Sequence, residues 1–398
     1  MPWRDISPMS ERLDFVKACI DRTEHIVGIC DRFGISEKTG QKWLKRFKEG
    51  GSDALDDRSH APLTHKGRIT TEVRDRIFAL KKKYPLYGPE KIHDWLVIHE
   101  PRGSGMFWPA VSSIGELFKR SGLVRRKRRR HMLLEHDDLD SVRTRSTEPN
   151  MVWTADFKGE FRLKNGSGAY CYPLTVLDLN THYLLGCTAL ETTAVVPSMQ
   201  AFERLFIEHG LPTVMRTDNG VPFAQPNAVG RIGKLAFWWV QLGIRPEYIA
   251  PGRPSENGAH ERFHRTLKAA ATKPSSKSLR SQQKRFDEFR NEYNTERPHL
   301  SLPHHRPPAQ FYQQSPRPYP RKLPAMIYPD GSTVRLVDES GTIKWQNHPF
   351  FLSTNLKAQY VALTEGPEDL ITISYGPLEL GAIDPHINRF VPRLKWNG

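Results

Sequence analysis

The chain has 398 residues, a formal net charge of +15 and a hydrophobic content of 38%. A chain of this length can form several domains with separate apolar cores, and it contains no run of the roughly 20 apolar residues that cross a membrane. The basic excess disfavours cationic partners and favours a polyanion such as a nucleic acid, although an inert basic surface is an alternative that charge alone leaves open.

Residues 1–60 are predicted to form a helix-turn-helix domain. Phe15 and Val16 lie at helical spacing in a first helix, and Gly34 stands where a tight turn between helices favours positive φ. Ser36 can cap a basic third helix that suits the major groove of DNA. The residues predicted to contact DNA from that helix are Lys38, Gln41, Lys42 and Lys45. A plain three-helix bundle with a solvated basic face is the alternative.

Residues 66–131 are predicted to form a second helix-turn-helix or winged domain that ends in a basic arm. Three apolar stripes at helical spacing occur between residues 70 and 124, separated by glycine-containing turns. The arm has six consecutive cations, which repel one another and suit a segment that lies along phosphates. These predicted DNA contacts are Arg125, Arg126, Lys127, Arg128, Arg129 and Arg130. A nuclear-localisation signal is the other interpretation of such a run.

Residues 148–312 change to a pattern of strands followed by helices. Three strands, the first two separated by the turn signal NGSG, are followed by helix, strand, helix, strand and helix. This order is typical of an α/β ribonuclease-H-like domain. After a proline-rich stretch, residues 326–398 show short alternating strands that predict a small SH3-like β-barrel. The predicted class is therefore multidomain α+β.

Three acidic residues stand at positions in this core from which they can converge. Asp156 lies within the first strand, Asp218 ends a later strand and Glu261 opens a helix. Oxygen ligands favour Mg²⁺ or Mn²⁺. Two such ions can stabilise the attacking and leaving oxygens of a phosphoryl transfer. The three carboxylates are therefore predicted to be both the catalytic residues and the ligands of two metal ions.

The segments TDNG, IAPGRPSENGAHERFHRTLK and YNTERPHLSL resemble the integrase-core transposases of bacterial insertion sequences, and most of all the IS-four-eighty-one group. The resemblance covers nearly the whole chain, and the acid triad of that family falls on Asp156, Asp218 and Glu261. It implies an enzyme that binds terminal inverted repeats, cuts at the ends of an element and joins the freed 3′-hydroxyl to target DNA. It also implies a homo-oligomer on double-stranded DNA.

The third acid has a rival. The 42 residues between Asp218 and Glu261 exceed the interval common in that family, whereas 37 residues separate Asp218 from Glu256. Glu261 is preferred because Arg265 and Lys268 follow it on one helical face, where they are predicted to grip DNA. Lys158 is predicted to contact DNA from the strand of Asp156.

His260 and His264 frame an HExxH motif, which is a zinc-protease signature. Its flanking sequences do not fit that class, and His264 is instead expected to approach the carboxylates as a hydrogen-bond donor. Asp178 is expected in a turn and Trp238 and Trp239 in the core. Three further histidines are expected at the surface: His299, His304 and His305.

The predicted function is a metal-dependent DNA transposase located in the cytoplasm, associated with the nucleoid when bound to DNA and without a membrane partner. A related nuclease that cuts without joining, or a regulator that only binds DNA, are the alternatives. The four cysteines form no CxxC pair and give no support to a zinc site or a disulfide.

Overall fold

The computed structural model describes residues 8–21, 24–57, 69–101, 107–124, 144–164, 168–225, 232–249, 258–366 and 369–397. The chain divides into two compact units, residues 1–68 and 69–398. No described helix is both long enough and apolar enough to cross a membrane.

The first unit contains the predicted helix-turn-helix. Its helices are α1 (Pro8–Ile20), α2 (Ile26–Arg32) and α3 (Glu37–Gly50). Gly34 has a φ of +65° in the turn before α3, and the hydroxyl of Ser36 accepts the amide N–H of Thr39 as the helix cap. The buried side chains include Phe15, Ile29 and Trp43, which leaves Lys38, Gln41, Lys42 and Lys45 exposed on α3.

The second unit begins with helices α4 (Thr71–Lys83), α5 (Pro89–His99) and α6 (Val111–Arg120). All regular elements in the described part of this segment are helical, in agreement with the helix-turn-helix alternative. Their shared core includes Ile77, Ile92 and Ile114. The basic arm, with Arg125, Arg126, Lys127, Arg128, Arg129 and Arg130, lies outside the described residues.

A mixed six-stranded sheet forms the centre of the second unit. Its strands are β1 (Val152–Phe157), β2 (Phe161–Arg162), β3 (Tyr170–Asp178), β4 (Leu184–Leu190), β5 (Val214–Thr217) and β6 (Arg245–Tyr248). β3 pairs antiparallel with β1, β2 and β4, whereas β5 pairs parallel with β1 and β6. The order β4-β3-β1-β5-β6 therefore runs across the sheet, which is the predicted ribonuclease-H-like arrangement.

The helices of this core are α7 (Val195–His209), α8 (Lys234–Gln241), α9 (Gly258–Leu267) and α10 (Leu279–Thr295), and a π-helical turn at Lys268–Thr272 continues α9. Phe202, Phe206 and Trp239 pack with Trp153 in one apolar core, and Trp238 is also buried there as expected. Phe263 and Leu267 of α9 pack with Phe286 and Phe289 of α10 in a second core. Burial of these side chains holds α9 against the sheet.

The helical segment docks on the end of α10. The Tyr87 hydroxyl donates to Oε1 of Glu292 at 2.8 Å, and the Lys91 amine donates to the Pro298 carbonyl at 3.1 Å. These hydrogen bonds connect α5 and its preceding turn to the helices of the core.

The carboxyl-terminal region is rich in β-structure. Its strands are β7 (Thr333–Leu336), β8 (Thr342–Trp345), β9 (His348–Phe351), β10 (Tyr360–Glu365), β11 (Ile371–Tyr375), β12 (Leu378–Asp384) and β13 (Arg389–Trp396). Among the described residues, five strands form a sheet in the order β13-β12-β11-β10-β7, and β8 and β9 form a separate ribbon. Tyr375 of β11 packs edge-on against Phe237 of α8, so this sheet shares a core with the central domain.

Candidate active site

Asp156 lies near the end of β1, and Asp218 directly follows the neighbouring parallel strand β5. The β1–β5 register pairs Thr154 with Arg216 and Ala155 with Thr217. Continued by one residue, this register sets Asp156 beside Asp218, because neighbouring strands are about 4.8 Å apart and paired positions share a face. Both residues are partly accessible to solvent. The backbone positions of two acidic residues that are far apart in the sequence are therefore brought to the same edge of the sheet.

The loop after β5 holds Asp218 in place. Its Oδ1 accepts the amide N–H of Gly220 at 3.1 Å, which is a turn that an aspartate commonly forms with the residue two positions later. A Cβ on Gly220 would lie 3.1 Å from Oδ2 of Asp218. The glycine thus leaves room for this carboxylate beside the turn.

Two histidines of helix α9 form hydrogen bonds with threonines of the central sheet, on the strands β1 and β3. His260 Nε2 lies 2.6 Å from Oγ1 of Thr154, and His264 Nε2 lies 2.8 Å from Oγ1 of Thr175. Thr175 Oγ1 also donates to the backbone carbonyl of Asp156 at 3.0 Å. Since that donation uses the only hydroxyl proton, His264 must donate from Nε2, which leaves Nδ1 unprotonated in the neutral ring.

His264 therefore approaches the carboxylates as predicted, but it donates to Thr175. Its Nδ1 lies 3.9 Å from Oδ2 of Asp156. Burial lowers the pKa of His264 to about 3 and that of His260 to about 4, so both rings are neutral near neutral pH.

The role of His260 was not predicted. Possible ligand atoms of Asp156, His260 and His264 lie within 4.8 Å of one another. His260 Nδ1 is buried without a hydrogen-bond partner among the described residues. The i, i+4 spacing of the two histidines was the available signal, because it places both on one face of a helix. Two nitrogens and one oxygen form a ligand set that transition metals accept better than Mg²⁺ does.

Glu261 lies in the first turn of α9, next to His260, and its side chain is exposed. The contacts of His260 and His264 bring the helix that carries Glu261 to the strand of Asp156. The rival Glu256 lies outside the described residues. The carboxylate oxygens of Asp156 and Asp218 are the donor type that Mg²⁺ or Mn²⁺ prefers, so this edge fits a divalent ion.

Three basic residues predicted to contact DNA lie on β1's continuation and on α9 and its π-helical turn. Arg265 and Lys268 are exposed on the stripe of α9 and its π-helical turn that follows Glu261. Lys158 is partly buried just beyond β1. Burial, followed by the positive charges of Lys268 and Lys273, lowers the pKa of its amine. Lys158 therefore lies within electrostatic reach of two further lysines.

Two other acidic residues of the sheet have structural roles. Asp178 is buried, and its carboxylate accepts the amide N–H groups of Asn150 at 2.7 Å and Thr181 at 2.8 Å. It is the last residue of β3, and the turn that was predicted to contain it begins at the next residue. Glu247 pairs with Arg216 across β5 and β6 at 2.8 Å. Both carboxylates are therefore already stabilised by partners within the fold.

The surface prediction was wrong for one of the three carboxyl-terminal histidines. His299 is half-buried and stacks on His182 with ring centroids 4.7 Å apart. Its ring nitrogens lie 3.2 Å from the Tyr293 hydroxyl and 3.0 Å from the Ser301 hydroxyl. The loop after α10 folds back onto the helix, and a sequence pattern of prolines does not reveal this contact. His304 is exposed and His305 partly so.

Family comparisons agree with this architecture. Two integrase core domain models match residues 146–254 and 242–308, a helix-turn-helix domain model matches residues 11–62, and a homeodomain-like domain model matches residues 39–117.

Retroviral polyproteins are similar to part of the chain. The Gag-Pol polyprotein of baboon endogenous virus (strain M7) is 29% identical over 131 residues, which are 33% of this chain and 7% of that protein. The Pol polyprotein of radiation murine leukemia virus (strain Kaplan) is 30% identical over 132 residues, 33% of this chain and 21% of that protein. The chain thus spans less than a quarter of the length of either relative.

Among solved structures, the magnesium complex of the HTLV-2 integrase catalytic core domain in its trimeric form is similar, with 16% sequence identity and a TM-score of 0.33. The alignment covers 42% of this chain and all of that one. Taken together, the family models, the strand order and the helical amino-terminal segments show that this chain carries helix-turn-helix domains followed by an integrase core domain.

Proposed function

We propose that this protein is a DNA transposase of the integrase type that binds the terminal inverted repeats of its element, cleaves a DNA strand at each end and joins the freed 3′-hydroxyl to target DNA. The observation that supports the proposal is the parallel pairing of β1 and β5, the strands that carry and precede Asp156 and Asp218, within an integrase core domain. The proposal includes membership of the bacterial IS-four-eighty-one group, which the sequence motifs resemble, and accordingly a cytoplasmic location.

In this proposal the triad is Asp156, Asp218 and Glu261, with Glu261 brought to the strand ends by α9. Two Mg²⁺ or Mn²⁺ ions held by these carboxylates would activate the attacking hydroxyl and offset charge on the leaving oxygen. The histidines of α9 orient the helix, since His260 and His264 bond to the threonines beside Asp156. His264 is therefore a positioning residue.

The basic residues around the site have the chemistry to bind a DNA backbone. Lys158 follows Asp156 on the chain by two residues, and Arg265 and Lys268 follow Glu261 along α9 and its π-helical turn. In the proposal, these cations would hold phosphates close to the scissile bond. The exposed side of α3 would read the terminal repeat through Lys38, Gln41, Lys42 and Lys45. The arm at residues 125–130 would bind phosphates without sequence preference.

Two finer structural features belong to the proposal. The ribbon of β8 and β9 contacts both β7 and β13, the outer strands of the five-stranded sheet, which supports closure into an SH3-like barrel. The protein would act as a homo-oligomer, because cutting and joining two ends requires two active sites on one DNA assembly.

Labelled terminal-repeat DNA distinguishes this function from its alternatives. Incubation with Mg²⁺ and a target plasmid is expected to give both nicked ends and joined products. Nicked ends alone would assign a nuclease that does not join, and binding alone would assign a regulator. The paired carboxylates disfavour the regulator, because a protein that only binds DNA does not need them.

A further inference from the structure

A second cationic site lies beside α9, where the helical segment meets the core. It is a cleft of about 390 Å³ that three elements supply with positive charge. Lys91 comes from α5, Arg262 from α9, and Arg297 from the residues just after α10. His182 and His299 complete the basic lining, and no Asp or Glu is found among the described residues that line the cleft.

Arg297 is only 7% exposed, so its charge needs a partner. The nearest carboxylate oxygen, Oε1 of Glu292, lies 3.8 Å from Nη1. That same oxygen accepts the Tyr87 hydroxyl at 2.8 Å. The Arg297 guanidinium also lies over the Tyr87 ring, 5.1 Å from its centroid. Because its one carboxylate partner among the described residues is distant and shared, the charge is incompletely compensated, and a bound anion would offset the remainder.

The same excess of positive charge acts on the other groups in the cleft. Burial, and next the charge of Arg297, lowers the pKa of the Lys91 amine to about 8. Burial, followed by His182, Lys91, Arg297 and Arg262, lowers the pKa of His299 to about 3. Arg262 is exposed at the mouth and has no ion pair within the described residues.

We propose that this cleft binds one phosphate group of the DNA backbone. Three cations against one shared carboxylate leave an excess of positive charge that is more than enough to offset the single negative charge of a backbone phosphate. The two guanidinium groups offer paired N–H donors that match the phosphate oxygens. Thr266 and Ser301 also line the cleft, and their hydroxyls bond to the Arg262 carbonyl and to Nδ1 of His299. The inference depends on the proposed function in that it takes DNA as the ligand.

The cleft lies between α9 and the helical segment, so a phosphate bound there would affect the position of α9. Arg262 follows Glu261 directly along α9, and Lys91 belongs to the helical segment that docks on α10. A phosphate held between them would connect that segment, the DNA and the helix of the third carboxylate. Binding of the DNA strand would in this way fix α9 relative to the strand ends.

The test uses the full chain in EDTA, so that no DNA is cut, with two probes. Inorganic phosphate is compared with chloride at equal ionic strength by thermal unfolding, and a duplex of unrelated sequence is titrated over a range of salt. The variants are Arg262→Gln and Lys91→Met, and the control is Arg280→Gln, an exposed arginine of α10 outside the cleft.

Phosphate is expected to raise the melting temperature of the wild type and of Arg280→Gln, while Arg262→Gln binds it about 10-fold more weakly. The slope of log K against log salt for the duplex is expected to fall by about 0.9 in Arg262→Gln and to stay unchanged in the control. Lys91→Met should weaken the binding of both probes in the same way. This pattern supports a DNA phosphate in the cleft.

If the phosphate effect disappears while the DNA slope stays unchanged, the cleft binds a free anion and DNA is overturned as its ligand. No phosphate effect on the wild type, with slopes equal in all variants, would overturn the site itself. If instead both arms give the expected result but labelled ends are neither cut nor joined, the cleft stands and the proposed transposase function fails.

Discussion

His264 connects the helix of Glu261 to the strand of Asp156 through one hydroxyl. Its Nε2 donates to Oγ1 of Thr175 at 2.8 Å, and that hydroxyl donates to the carbonyl of Asp156 at 3.0 Å. The connection joins two proposed catalytic carboxylates through groups that carry no net charge. Loss of these hydrogen bonds is expected to make the position of α9 less fixed, while all three proposed metal-binding carboxylates remain.

His264→Ala is therefore expected to lower strand cleavage by about 10- to 100-fold, as is common when partners of metal-binding residues are removed. Thr175→Val removes the same hydroxyl and should give a similar loss. Because both variants break one connection, the double variant should be hardly worse than either. The cleavage rate and the Mg²⁺ concentration for half-maximal rate are measured together. Additive losses would show that His264 acts independently of Thr175.

Removal of a triad carboxylate is expected to abolish chemistry and spare binding. Asp156→Asn, Asp218→Asn and Glu261→Gln should each lower cleavage of labelled ends by more than about 100-fold, while the affinity for the end remains within about 2-fold of the wild type. Glu256→Gln is the matched control and should keep substantial activity. Equal losses in Glu256→Gln and Glu261→Gln would move the third position to Glu256.

The exposed face of α3 is expected to contribute to DNA affinity in a salt-dependent manner. Lys42→Gln with Lys45→Gln should reduce the slope of log K against log salt by about 0.9 for each phosphate that the helix no longer neutralises. Lys17→Gln on α1 is the control, since it removes an exposed lysine from a different helix. If the slope of log K against log salt equals that of Lys17→Gln, the basic face of α3 faces solvent and does not contact DNA phosphates.

Stability is expected to fall in acid because the half-buried ring of His299 is held neutral in the folded protein. Burial, followed by the charges of His182 and Lys91, lowers its pKa from 6.5 to about 3 in the folded protein. Between these values the unfolded chain binds the additional proton, so the free energy of unfolding decreases as pH falls, by at most about 1.4 kcal/mol per pH unit from this residue. Urea unfolding at several pH values measures the slope.

His299→Asn should make this decline shallower between about pH 6.5 and about pH 4. His304→Asn, at an exposed position in the same loop, should leave it unchanged. Equal slopes in the wild type and His299→Asn would show that the proton uptake occurs elsewhere.

Local sequence was enough to predict most elements and their order. The turn at Gly34, the cap at Ser36 and the alternation of the carboxyl-terminal strands depend on neighbours within a few residues, and the structure confirms them. The placement of Asp156 within one strand and Asp218 after another was likewise readable, because charged residues interrupt otherwise apolar runs. Their catalytic role remains a prediction.

Only the tertiary structure shows which of these elements meet. His260 and Thr154, or Lys91 and Arg262, are distant in the chain, and their proximity depends on how α9 crosses the sheet and how α5 docks on α10. Hydrophobic periodicity reveals which side of a helix is buried, but it does not identify the surface that covers it. For the same reason the sequence did not predict the proposed phosphate cleft, whose residues come from three separate elements. It did predict the basic face of α3, whose residues all belong to one helix.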